Sequence, residues 1–279
     1  MRFRIFSDFQ AVLLLVFLFG AALSNANAGA WAQPKGSGLA ITTYRFYGTG
    51  DNFNSRGERV SYGNDGYFSK NQINVYAEYG LLDRLTIFGN FFYDFVNYND
   101  NFSSQSNNGF PYQELGVRYQ FFDEPAMSFQ VLAGIPTSGG SRQPALSNNQ
   151  FDYEFAYYIG GNYKIFGYDA FWDIGVGYRL RTGAPSDEFR WYMTTGVKFN
   201  EYWEAFFQAE GIHGLGNNQR QFVGNNVLLT TDFQLIKLRM SVVYNINKSW
   251  SLQAGPVLHV WGNNVGAGGG AEVSVWYKW

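Results

Sequence analysis

Strict two-residue alternation, sustained over segments longer than a globular strand, constrains this chain more than any other feature. Over residues 70–79, Lys70, Gln72, Asn74, Tyr76 and Glu78 fall on one face of an extended chain. Ile73, Val75, Ala77 and Tyr79 fall on the other. The pattern recurs over 152–165, where Asp152, Glu154, Tyr158, Asn162 and Lys164 oppose Tyr153, Phe155, Tyr157, Ile159, Tyr163 and Ile165, and again over 170–181 and 188–199. Globular strands run about 5–6 residues, whereas a tilted strand crossing a bilayer needs about 9–11. These segments belong to the longer class. Charges on one face and rings on the other suit either a soluble sandwich or a membrane barrel with a wet lumen and a lipid-facing exterior.

The connections separate the two. Short ones, such as Leu82-Asp83-Arg84, Phe122-Asp123-Glu124-Pro125, Phe166-Gly167-Tyr168-Asp169, Asn200-Glu201-Tyr202 and Asn247-Lys248-Ser249, alternate with long polar, glycine-rich ones at 48–67, 97–111, 138–150, 183–187, 214–225 and 262–269. Short turns at one end and longer loops at the other are the outer-membrane arrangement. Twelve strands are expected, near 38–48, 68–80, 84–97, 111–122, 126–137, 151–165, 169–182, 187–199, 202–213, 226–246, 249–261 and 269–279. In the tenth, the polar positions switch from even (Thr230, Asp232, Gln234) to odd (Lys237, Arg239, Ser241), so a β-bulge is expected near Leu235-Ile236.

The beginning of the chain reads as an export signal. Arg2 and Arg4 precede an apolar run, Ala11 to Leu23, and Ala26-Asn27-Ala28 supplies small residues at the positions a signal peptidase reads. The run is shorter than the roughly 20 residues of a membrane-spanning helix. Cleavage is expected before Gly29. The expected organisation is thus a signal peptide at 1–28, a periplasmic segment at 29–37 and a barrel at 38–279. Loss of Arg2, Arg4 and Asp8 takes the net charge from −2 to −3, so there is no basic footprint for nucleic acid. The chain has no cysteine, which excludes a disulfide scaffold and a thiol nucleophile. Its 27 Phe, 20 Tyr, 8 Trp and 33 Gly favour strands and turns over helices. The fold class is all-β: a transmembrane, antiparallel up-and-down β-barrel of about 12 strands, with short periplasmic turns and longer extracellular loops.

At the other end, Val273, Val275, Tyr277 and Trp279 alternate with Glu272, Ser274, Trp276 and Lys278. This resembles the terminal-strand signal read by barrel-assembly machinery. Two further stretches, Gly29-Ala30-Trp31-Ala32-Gln33-Pro34-Lys35-Gly36 and Tyr76-Ala77-Glu78-Tyr79-Gly80-Leu81-Leu82-Asp83-Arg84-Leu85-Thr86, resemble a family of outer-membrane transporters named for the meta-cleavage pathway of phenol degradation. The resemblance implies a barrel and suggests uptake of small, often aromatic, molecules; it carries no binding-residue signature.

Alternation assigns the pore-lining side chains. The acidic candidates are Glu78, Asp94, Glu114, Glu154, Asp173, Glu210 and Asp232. The basic ones are Arg118, Arg179, Arg181, Arg190, Lys198, Lys237 and Arg239. Arg179, Arg181 and Arg190 could form a positive arc that draws anions, or could be tied into a salt-bridge lattice with Glu154, Glu188 and Glu210. Phe88, Phe92, Tyr76, Tyr158, Phe171, Tyr192, Phe206 and Trp276 also point inward, as a slide for apolar solutes or as packing. Tyr79, Tyr119, Tyr163, Trp172, Trp203, Tyr244, Trp250, Tyr277 and Trp279 fit an interfacial girdle. The first loop, 48–67, is a candidate constriction. A lumen of twelve strands lies between the filled interior of about 8 and the open channel of about 16–18.

The expected function is passive uptake of small molecules, with the lipid bilayer, lipopolysaccharide, the assembly machinery and a solute as partners and no cofactor or metal. A structural or surface-interaction barrel with a filled lumen is the alternative. An outer-membrane lipid hydrolase is a third reading. Against it, Ser251 is eight residues from His259 on one strand, about 26 Å at strand rise, and no GxSxG, HExxH or calcium-loop pattern occurs.

Overall fold

The computed structural model describes residues 29–138, 142–218 and 226–279; the expected signal peptide lies outside them. Twelve long strands follow one another around a closed antiparallel barrel: β1 (Gly38–Thr49), β2 (Tyr67–Leu82), β3 (Leu85–Asn99), β4 (Tyr112–Asp123), β5 (Ala126–Pro136), β6 (Asp152–Ile165), β7 (Tyr168–Arg181), β8 (Glu188–Lys198), β9 (Trp203–Gly214), β10 (Gln234–Asn245), β11 (Trp250–Asn263) and β12 (Gly269–Lys278). Each pairs with its sequence neighbours, and β12 closes on β1 in a ladder from Leu39↔Lys278 to Gly48↔Gly269. Closure leaves no unpaired edge, the condition for strands to sit in lipid.

Alternation sets the two faces throughout. On β2, Gln72, Asn74 and Glu78 are buried while Ile73, Val75 and Tyr79 are exposed. On β12, Glu272, Ser274 and Trp276 point inward, and Val273, Val275, Tyr277 and Trp279 point outward. The exterior is an apolar sheath, and Trp203, Tyr244, Trp250 and Tyr277 stand exposed near the short turns.

The turns follow from local chemistry. Phe166 and Gly167 both have positive φ, 49° and 86°, the geometry of a two-residue hairpin turn that matches strand twist. Two other turns share one device: Asn200 Oδ1 accepts from the N–H groups of Tyr202 and Trp203 at 2.8 and 2.9 Å, and Asn247 Oδ1 accepts from Ser249 and Trp250 at 2.9 Å each. An Asn three residues before a Trp thus closes both turns with its own side chain.

The tenth strand differs from expectation. It begins at Gln234, so Thr230 and Asp232 belong to the preceding loop. From Leu235 to Val243 the odd positions face inward without interruption; the parity switch in the sequence marks where the strand starts. An irregularity does occur at Ile236/Lys237, but its extra residue is Val260 of β11: Ile236 pairs with Trp261 and Lys237 with His259. Val260 and Trp261 are both exposed as a result.

Candidate functional site

The lumen is occupied at both ends and hollow between. At the turn end, residues 29–34 run inside the wall, although the sequence suggests only a segment leading up to the barrel. Main-chain groups of this segment, which would otherwise go unpaired, bond to lumen side chains. The Ala30 N–H donates to Asp173 Oδ2 at 2.7 Å, that of Ala32 to Gln120 Oε1 at 2.8 Å and that of Gln33 to Thr86 Oγ1 at 2.8 Å. Arg118 donates to the Trp31 carbonyl at 3.0 Å, and Ser128 Oγ to that of Gly29 at 2.6 Å.

Rings pack around this plug. Trp31 meets Phe171 edge-on at 6.2 Å, Phe171 meets Phe206 edge-on at 5.7 Å, and Phe206 stacks on Trp276 at 5.9 Å. The inward aromatics of β7, β9 and β12 therefore form a floor with Trp31, and Tyr158 joins the same cluster.

Above the floor lies a cavity of about 570 Å³ whose wall carries both rings and charges. All of these charges except Asp173 are paired. Arg179 reaches Glu154 at 2.8 Å and Glu114 at 3.1 Å. Arg181 reaches Glu188 at 2.7 Å, and Arg190 bonds the same carboxylate at 2.5 Å. Tyr192 donates its hydroxyl to Glu154 at 2.8 Å. Across the lumen, Lys237 and Arg239 flank Glu210 at 2.7 and 3.6 Å, while Arg45 holds Glu272 at 2.7 Å and Lys70 holds Asp94 at 2.6 Å. Nearer the floor, Arg118 pairs with Glu78 at 3.2 Å and stands over the Phe88 ring at 5.6 Å. Such pairing is what a wall of low polarisability demands of ionised side chains.

At the loop end, Leu146 and Val227 pack with Tyr47, Phe68 and Val96, and Asn226 donates to the Ala145 carbonyl at 2.7 Å. A second cluster joins Phe53 to Ile212, Leu235, Val265 and Ala267. The first loop contributes Phe53 and Tyr62 to this cap, but its Arg56, Glu58 and Arg59 remain exposed, Arg59 in a small outer sheet of Asp51–Phe53, Arg59–Ser61 and Val265–Gly266 and the other two in the turn between its first two strands. The inward-folded pieces are instead 144–148 and 226–229. Their signal is faint: isolated pairs such as Ala145-Leu146 and Val227-Leu228 within polar loops.

The predicted lumen residues divide as follows. Arg118, Arg179, Arg190, Lys237, Arg239, Glu114, Glu154, Asp173 and Glu210 line the cavity. Arg181 lines a smaller chamber of about 240 Å³ beneath the cap. Glu78 and Asp94 are buried in the wall, held by Arg118 and Lys70. Lys198 has the inward parity but lies exposed at the turn rim, and Asp232, in the loop, accepts from the Gly216 N–H at 3.3 Å. The two histidines face opposite sides of the wall. His213 accepts from the indole of Trp191 at 3.1 Å, whereas His259 lines the cavity, with Nδ1 2.9 Å from the Gly266 carbonyl. Ser251 is bonded to Asn245 at 2.7 Å, at the turn end. Among the described residues no group of three or more His, Asp or Glu is placed to hold a metal ion.

Fold and lumen together define an outer-membrane-type β-barrel of twelve strands with an internal plug. An outer-membrane channel from Pseudomonas putida F1 has the same fold, with a TM-score of 0.65 at 12% identity, covering 92% of this chain and all of that one. The translocator domain of the autotransporter NalP from Neisseria meningitidis is more distant, with a TM-score of 0.48 at 10% identity over 88% of this chain and 90% of that one. The P. putida toluene transporter TodX gives 0.42 at 8% identity over 88% and 90%. No family description and no curated protein matches the sequence.

Proposed function

We propose that this chain is a bacterial outer-membrane channel for passive uptake of small organic molecules, exported by its signal peptide and oriented with the turns in the periplasm. The observation that carries the proposal is the internal cavity of about 570 Å³, bounded by paired charges and by inward rings. A volume of that size falls within the range of small-molecule sites, about 300–1,000 Å³. Phe88, Phe92, Tyr158 and Tyr192 stand in its lining beside the charges, which suits a solute with an aromatic body and a polar edge, and the guanidinium groups are committed to carboxylates. Organic anions are the weaker candidates, because the arginines that would draw them are already neutralised. Likeness in fold to an outer-membrane channel agrees with this reading, as does the resemblance of two stretches to the meta-cleavage transporter family. Exterior contacts would be lipid and lipopolysaccharide, and the outward Val273, Val275, Tyr277 and Trp279 would be read by the assembly machinery.

A filled, structural barrel is the second reading, and the plug at residues 29–34 favours it. The deciding experiment is flux through the purified protein in liposomes, comparing an apolar aromatic, a benzoate-like anion and a neutral sugar. Faster passage of the aromatic supports the proposed function. Absence of flux for all three, with a folded heat-modifiable barrel, supports the structural reading.

A further inference from the structure

The charge lattice has one exception. Every other carboxylate buried on a barrel strand has a Lys or Arg partner: Glu78, Asp94, Glu114, Glu154, Glu188 and Glu272. Asp173, only 2% exposed, has none among the described residues. Its Oδ2 instead accepts the Ala30 N–H at 2.7 Å, and the backbone nitrogen of Gly29 bonds to the same carboxylate. Arg118 acts on this carboxylate only through space, its own bonds running to Glu78 and the Trp31 carbonyl; a buried carboxylate with no cation in contact is costly, and the remaining lumen wall avoids it.

Gly29 is held closely at this place. Ser128 Oγ donates to its carbonyl at 2.6 Å, and a Cβ added there would lie 2.4 Å from the Tyr158 ring. The same residue follows the expected cleavage point, Ala26-Asn27-Ala28. Hydrolysis of the Ala28–Gly29 amide by a signal peptidase consumes one water, leaves a carboxylate on Ala28 and gives Gly29 a primary amine that takes up a proton. We propose that the α-ammonium group so created is the missing cation of Asp173. Export processing then does more than release the signal: it turns a neutral amide into the charged anchor of the lumen plug. Before cleavage the carboxylate is bonded only by amide donors, and after cleavage it has an ion pair in contact at the cavity floor.

The test uses protein exported and purified from outer membranes. The intact mass should correspond to a chain beginning at Gly29. Reductive methylation of the folded protein in micelles is then followed on the tryptic peptide 29–45, because methylated Lys35 is no longer cleaved. The Gly29 amine should react roughly a hundredfold more slowly in the folded protein than in the denatured one. D173N, which keeps the shape and removes the charge, should speed folded-state labelling by about tenfold. If D173N does not fold, S128A, which frees the Gly29 carbonyl, should also speed labelling. A mature chain that starts elsewhere overturns the proposal. So does an amine equally reactive in folded and denatured protein, or labelling unchanged in the variant that folds.

Discussion

Arg179 is the side chain on which the lumen lattice most depends, and its removal gives a sharp prediction. It bonds Glu154 at 2.8 Å and Glu114 at 3.1 Å and lies 3.7 Å from Asp152. In Arg179→Met the two nearest carboxylates fare differently. Glu154 keeps the Tyr192 hydroxyl at 2.8 Å and Arg190 at 3.7 Å. Glu114, 7% exposed, keeps among the described residues only Asn90 at 3.1 Å. Charge-assisted hydrogen bonds contribute about 1.5–3 kcal/mol each, and breaking a buried pair from one side costs about 3–5 kcal/mol. Glu114 and Glu154 both line the cavity, whose polar wall lessens the penalty, so a loss at the lower end of that range, about 3 kcal/mol, is expected. Denaturant unfolding in micelles, followed by tryptophan fluorescence and gel mobility, measures it. Because the penalty arises from the stranded carboxylate, adding Glu114→Gln to Arg179→Met should restore about half of the loss, although the same change in the wild-type background destabilises. A loss below about 1 kcal/mol, the value of a surface pair, would refute the reasoning, as would strict additivity of the two substitutions.

Trp31→Ala removes the ring that meets Phe171 at 6.2 Å; it should weaken docking of the plug by about 3–5 kcal/mol and raise single-channel conductance in planar bilayers, whereas unchanged conductance would mean the segment is not a barrier. Ile174→Arg places a charge on the lipid face of β7, where the side chain is 42% exposed; a cost of about 2–4 kcal/mol is expected near mid-membrane, and a neutral effect in a lipid refolding assay would count against that placement. In the outer sheet, the Ser61 hydroxyl and then the Arg59 guanidinium hold the Asp51 carboxyl below its ordinary value. The folded value being the lower one, Asp51 steadies the loop above the unfolded aspartate value of about 3.9, and this contribution fades as pH falls through the folded value. An NMR titration of Asp51 should show a low midpoint that rises in Ser61→Ala, and a midpoint at or above the ordinary value would refute it.

What the sequence could and could not convey follows from how each feature is encoded. Strand positions and faces were legible because a two-residue period admits one assignment: a slip of one residue along β2 would turn Glu78 to lipid and Tyr79 to the lumen. The pairing of Arg179 with Glu154 was legible as an alternative, since both share an inward parity on adjacent strands. Thr230 and Asp232 misled because a polar loop can imitate alternation for a few residues. Residues 29–34 carry no period, and their bonds run to five different strands. The isolation of Asp173 was invisible for the same reason, since it depends on which cations do not reach it.

The partners of the plug have a bearing on how the molecule is put together. Its bonds fall on β2, β3, β4, β5 and β7, through Glu78, Thr86, Arg118, Gln120, Ser128 and Asp173. The closing ladder instead joins β1 to β12, with Thr43 and Ser274 separated by 231 positions. Contacts so distant along the chain form late in folding. The first residues of the barrel therefore have a docking surface before the circle is complete. The sheet curls around its own beginning, and the plug need not be threaded into a finished pore.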